Sequence, residues 1–171
     1  MPTASTRAAG AKSASRSRAA SPRAKDAVAL LREDHKKVSD LFEQFEKARS
    51  ASVKKRLVQT ICQELLVHTQ IEEEIFYPAV KAALKDKELV PEARVEHDSV
   101  KSLIEQVQGV EPDGEDYDAK VKVMGEFVKH HVKEEQNEMF PKAKKSRLDL
   151  VELGEQMAER KAQLMQEQQL H

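Results

Sequence analysis

Residues 68–78 (HTQIEEEIFYP) return later in the chain as residues 131–141 (HVKEEQNEMFP), with His, then Glu four residues on, then Pro at the same offset. A residue and the one four positions later share one face of an α-helix, so each copy aims an imidazole and a carboxylate at a single point. Both groups are metal donors, and two such units are what a chain needs to hold two metal ions symmetrically.

The elements that must carry these residues are helices. Charged residues make up 35% of the chain and aromatic residues 4%, with few Gly and Pro and no Trp, a profile that favours helix over sheet. Breaks at residues 50–52, 85–91 and 109–114 separate four periodic segments, about 26–48, 53–83, 91–108 and 117–144. Ser21-Pro22 offers an N-cap followed by a proline ahead of the first segment. Short links between long helices imply antiparallel neighbours, so the expected fold is all-α, an up-down-up-down four-helix bundle. The expected division is a disordered basic tail over 1–24, the bundle over 25–145, and an amphipathic helix over 146–171. That last segment carries Leu148, Val151, Leu153, Met157, Leu164 and Met165, and is expected to pack outside the bundle or form an oligomer contact.

Bundle helices bury residues spaced alternately three and four apart. The first stripe runs Val28, Leu31, His35, Val38, Phe42, Phe45; the second Leu57, Ile61, Leu65, His68, Glu72, Ile75, Ala79. The third runs Ala93, His97, Val100, Ile104, Val107, and the fourth Val121, Met124, Val128, His131, Glu135, Met139. Every helix thus delivers at least one histidine to the interior. A lone His in such a stripe is commonly a hydrogen-bonded core residue. Six polar positions converging from four helices are another matter, because an unpaired buried carboxylate costs several kcal/mol and stays inside only when paired or coordinated. His35 and His68 can be brought level by antiparallel pairing, whereas His97 and His131 require the fourth helix to overhang the third.

Other residues read more plainly. His130 lies one position, about 100°, off the seam and is expected at the surface or just outside the ligands; His171 is terminal. Glu73, Glu74, Glu134 and Glu138 read as a solvated face, and Phe76, Tyr77, Met139 and Phe140 as core beside Pro78 and Pro141. The single cysteine, Cys62, excludes an internal disulfide and suits a reducing cytosol.

Imidazole and carboxylate donors without thiolate suit iron, with manganese as the second fit, and disfavour a structural zinc site. Two carboxylates able to bridge and four terminal imidazoles suit a dinuclear centre. Of roughly twelve positions on two six-coordinate ions, about four remain for an oxo or hydroxo bridge and exogenous ligands such as O2, NO or peroxide.

The order His35, His68-x-x-x-Glu72, His97, His131-x-x-x-Glu135, with the Phe-Tyr-Pro and Met-Phe-Pro endings, resembles the hemerythrin-like HHE cation-binding family over about residues 26–145. The resemblance implies a non-haem di-iron centre in a four-helix bundle, with His35, His68, His97 and His131 as terminal ligands and Glu72 and Glu135 as bridges. Oxygen-carrying hemerythrins place a second His four residues from the third-helix ligand, where this chain has Ala93 and Lys101. It therefore points to sensing, iron handling, or nitric-oxide or peroxide chemistry, including turnover by a di-iron enzyme, more than to oxygen transport. Ferritin-like bundles instead use Glu-x-x-His with two further Glu. The metalloprotease His-Glu-x-x-His, a phosphate-binding Gly loop and a nucleophile elbow are all absent from the sequence.

Residues 1–25 consist of Ala, Ser, Thr and similar small residues with six basic ones (Arg7, Lys12, Arg16, Arg18, Arg23, Lys25) and no acid. The tail's +6 against an overall −1 leaves −7 for the remainder. Such a segment suits nucleic-acid contact, in which case the bundle is a scaffold; an organellar presequence; or a solubilising tail. No stretch approaches the ~20 apolar residues that span a bilayer, so a soluble, cytoplasmic protein without a membrane partner is expected.

Overall fold

The computed structural model describes residues 25–169, so the basic tail, its Ser21-Pro22 start signal and His171 lie outside the described residues. All regular structure among the described residues is helical: α1 (Ala27–Lys47), α2 (Ala51–Ile71), α3 (Tyr77–Leu84), α4 (Leu89–Val107), α5 (Glu115–Glu134), α6 (Phe140–Lys145) and α7 (Leu150–Gln169). Two π-helical turns, Glu72–Phe76 and Glu135–Met139, join α2 to α3 and α5 to α6. The chain therefore forms four antiparallel rods, of which the second and fourth are interrupted, and α7 lies across α1 and α2. No helix among the described residues is long and apolar enough to cross a membrane.

Local chemistry sets the rod ends. The Asp26 carboxylate accepts from the Ala29 N–H at 2.8 Å and starts α1; Ser50 Oγ accepts from Val53 N–H at 3.3 Å and starts α2. Asp86 accepts from the N–H groups of Leu89 and Val90 and secures the start of α4. In the link from α4 to α5, Gly109 and Gly114 adopt φ of 73° and 132°, backbone that side-chain-bearing residues rarely take.

The π turns correct the expectation of unbroken α-helix over 53–83 and 117–144. Pro78 and Pro141 lack an N–H, and in an α-helix their rings collide with the carbonyl four residues back. Ahead of each proline the helix takes up one additional residue, with Tyr77 N–H bonding Glu72 O and Phe140 N–H bonding Glu135 O. An α-helix turns by about 100° per residue, so a turn that holds one more residue makes the buried stripe slip by one position. The stripe expected to pass through Ile75 and Ala79 instead buries Phe76, Tyr77 and Val80, while Ile75 and Ala79 are half-buried.

Two apolar clusters result. One gathers Leu31, Ile71, Phe76, Phe140 and Met157 toward the α3/α6 end; the other gathers Val38, Ile61, Leu65, Ile104 and Met124 toward the opposite end. Gly154 brings α7 against the start of α1. A Cβ there would stand 2.8 Å from Ala27 N and closer still to the Lys25 carbonyl oxygen, both backbone atoms that cannot swing aside. In an exposed helix Gly→Ala stabilises by roughly 1 kcal/mol. Here Gly154→Ala is expected to destabilise by about 1–3 kcal/mol through overpacking. The check is a melting temperature several degrees lower, not higher.

Candidate metal centre

Between the two apolar clusters lies a layer of buried polar side chains. His35, His68, Glu72, His97, His131 and Glu135 are all brought together there, with Glu72 at 0% and Glu135 at 2% exposure. The fourth rod runs on beyond α5 through its π turn into α6, which packs against α3.

All four imidazoles turn Nε2 toward one another. His68 Nε2 lies 2.5 Å from Glu72 Oε1, and His97 Nε2 lies 3.1 Å from Glu72 Oε2. His35 Nε2 and His131 Nε2 lie 3.2 and 3.1 Å from Glu135 Oε1. The donors divide into two groups that share Glu72: His35, His68, Glu72 and Glu135 in one, Glu72, His97 and His131 in the other. Each carboxylate thus stands between histidines of both halves.

These short approaches are not all hydrogen bonds. His35 Nε2, His68 Nε2, both oxygens of Glu72 and Glu135 Oε1 are buried, meet one another only in these ion-pair approaches, and make no aligned hydrogen bond. Buried polar atoms without partners are rare because each loses its hydration uncompensated. Their lone pairs converge on common points, which is the arrangement that cations held between these donors require.

Outside this ring, a carboxylate supports one histidine of each half. His68 Nδ1–H donates to Asp34 Oδ2 at 3.0 Å, and His131 Nδ1–H donates to Glu96 Oε1 at 3.0 Å. Such a bond fixes ring orientation and leaves Nε2 as the free donor atom. The Gln136 side-chain amide stands 3.1 Å from His35 Nδ1. The duplication therefore extends beyond His-x-x-x-Glu to the dipeptides Asp34-His35 and Glu96-His97. An acid directly before each lone histidine was the available sequence signal for these supporting residues.

Tyr77 is the functional residue that periodicity missed. Expected as core, it is fully buried, but its hydroxyl donates to Glu135 Oε2 at 3.1 Å and lies 3.1 and 3.2 Å from Nε2 of His97 and His131. Five residues of α-helix would put it about 140° from Glu72, whereas the π turn brings it back onto the same face. Burial and the charges of Glu135 and Glu72 hold its phenol well above the usual tyrosine range.

Charge within the layer is balanced by protons in the metal-free protein. Burial opposes protonation of His68, but the adjacent Glu72 carboxylate and the bond to Asp34 outweigh it and push His68 up to about 10. Burial likewise opposes protonation of His131, yet the Glu135 carboxylate, with Glu72 nearby and the bond to Glu96, pushes it up to about 12. Burial favours the neutral acid at Glu72, but the surrounding histidines hold its carboxyl well below the carboxylate range. At Glu135, burial and the Glu72 charge both favour the neutral acid, and His131 and His35 still hold it down.

A small cavity of about 20 Å³ lies against this layer, walled by Val38, Leu65, Val100, Val128 and Val132 beside the four histidines. That is room for about one water-sized molecule. A groove of about 740 Å³ between α1 and α5 is lined in part by His35, Val128 and Val132, which also line the cavity.

Residues 26–143 match the hemerythrin HHE cation binding domain, and the chain belongs to that family. A crystal structure of a hemerythrin HHE cation binding domain-containing protein from Mycobacterium kansasii superposes with a TM-score of 0.71 at 26% identity, covering 82% of this chain and 87% of that one. A curated Nostoc sp. protein described as a DNA nickase is 26% identical over 111 residues, 65% of this chain and 31% of that protein. The chain thus spans about a third of the length of that relative.

The proton balance has a measurable consequence. Histidines raised on folding stabilise the metal-free protein in full below their unfolded value near 6.5, and that contribution is lost as pH rises through about 10 at His68. The depressed carboxylates contribute above about 4.5, and their share is lost as pH falls through their lower folded values. The melting temperature of metal-free protein is therefore expected to fall from pH 6.5 toward 10. Metal binding at pH 7 is expected to release about two protons per chain, read by calorimetry in buffers of different ionisation enthalpy.

Proposed function

We propose that this chain is a non-haem di-iron protein that binds a small ligand, O2, NO or peroxide, for sensing, iron handling or stress response. The observation that carries the reading is the pair of donor groups sharing Glu72, in which both Glu72 oxygens, Glu135 Oε1 and Nε2 of His35 and His68 are buried without an aligned hydrogen bond. His35 and His68 would hold one ion, His97 and His131 the other, with Glu72 and Glu135 between them. Tyr77 stands ready as a further oxygen donor or as a proton donor beside Glu135. Carboxylate and imidazole donors suit iron first and manganese second.

When bound, the ions supply open coordination positions at which a small ligand is held and polarised. The chain's own part is to orient the donors, exclude bulk water with the valine-lined wall, and limit the ligand by the volume of the cavity. Residues 25–145 form the metal-holding unit in this reading, and the segment 146–171 carries α7 (Leu150–Gln169), which covers it. Binding and turnover need the same open position, so assays with peroxide and nitric oxide on iron-loaded protein separate carrier from enzyme.

Aerobically purified protein is expected to hold about two irons per chain, with near-ultraviolet oxo-to-iron absorption. Because Glu72 serves both donor groups, Glu72→Ala is expected to empty both positions, whereas His97→Ala should retain about one iron per chain. Metal analysis with an absorbance spectrum checks this; a stable protein that takes up neither iron nor manganese would overturn it.

The likeness to a protein described as a DNA nickase favours a second reading, in which the basic tail contacts nucleic acid and the bundle is a scaffold. Removing residues 1–24 is then expected to abolish salt-sensitive DNA binding. Intact protein without measurable DNA affinity removes this reading.

A further inference from the structure

The two halves of the duplicated unit treat their supporting carboxylates differently. In the first half, Asp34 gives Oδ2 to His68, and its other oxygen, Oδ1, accepts from the Lys161 ammonium brought in by α7. Asp34 is therefore capped by a cation and only 4% exposed. In the second half, Glu96 gives Oε1 to His131, but no helix covers this side, and no lysine or arginine pairs with Glu96 among the described residues.

What faces the second oxygen instead is a pair of donors. His130 Nε2 lies 3.5 Å from Glu96 Oε2 and 3.2 Å from Glu134 Oε1. His130 and Glu134 repeat the His-x-x-x-Glu spacing one residue before His131 and Glu135, turned about 100° toward solvent. Donors bound to one ion at about 2.0–2.2 Å stand roughly 2.9–3.5 Å from each other. The separations from His130 match that spacing, and ligand atoms of all three residues lie within 4.8 Å of one another.

We infer that Glu96, His130 and Glu134 form a second, surface site for a first-row divalent cation such as Zn2+, Mn2+ or Fe2+, at the place where the other half carries the Lys161 ammonium. One imidazole nitrogen and two carboxylates suit such ions, and three protein ligands leave the remaining positions to water. Glu134 lies on the exposed face expected of it and would serve this site from there. It is joined to the inner centre by one carboxylate, since Glu96 uses one oxygen outward and the other on His131. The inference does not depend on which metal the inner centre holds.

Iron-loaded, full-length protein titrated with Zn2+ by calorimetry tests it. One equivalent of Zn2+ beyond the iron is expected, weakened at least about tenfold in His130→Ala and in Glu134→Gln, with iron content unchanged in both. In crystals soaked with Zn2+, anomalous density at the zinc edge should lie between the three side chains. Equal uptake by the parent and both variants would overturn the inference, as would zinc density in crystals without uptake in solution. If the inner donors hold no iron and accept zinc as well, total uptake rises in every variant. The equivalent that disappears with His130 remains the readout, so failure here is distinct from failure of the di-iron reading.

Discussion

Two carboxylates at the centre of an apolar bundle dominate the energetics of this chain. Glu72 and Glu135 sit where Leu or Ile would otherwise pack, and an uncompensated charge in that position costs several kcal/mol. Each nearby polar feature meets that cost in part. Four imidazoles surround the carboxylates, Tyr77 donates to one of them, and Asp34 and Glu96 hold two of the rings in place. The family's cation-binding character follows from the same requirement, since a multivalent cation at the convergence of these lone pairs satisfies all of them together.

The π turns show backbone and site solving one problem. A proline six residues after each glutamate forbids regular helix, and the widened turn that absorbs it begins at the glutamate itself. The insertion spares the rod from breaking and turns Tyr77 inward. Phe76 and Phe140, carried by the same shift in phase, meet edge to face at 5.8 Å and close the apolar end of the site.

The helical class, the antiparallel order and the six converging residues were legible because periodicity of three and four is a strong, local signal. His97 and Ile104 stayed in register over the whole of α4, which contains no interruption. Legibility failed where the period itself changed. Ile75 and Ala79 were assigned to the interior by extrapolating 3.6 residues per turn through a turn that holds one more. Tyr77 is buried as expected, but the turn of its hydroxyl into the polar layer depends on the same change of period, which Pro78 marks. The supporting acids were missed for another reason: Asp34 and Glu96 each lie beside a seam histidine, and spacing alone does not say which polar neighbour folds back onto a ring. That α7 packs outside the bundle was legible from its apolar residues, but not that it crosses α1 and α2, where Gly154 permits a close approach to the start of α1.

The polar layer also cuts the hydrophobic core in two. Leu31, Phe76 and Met157 belong to one apolar cluster and Ile61, Ile104 and Met124 to the other, with the His and Glu side chains between them. A continuous core makes a small domain unfold as one unit, whereas two cores joined through a hydrated or protonated layer are coupled more weakly. Cross-linking that layer with cations ties the two halves into a single cooperative unit. The ions would then act on unfolding as mortar between two courses, governing whether the ends of the bundle open together or one at a time.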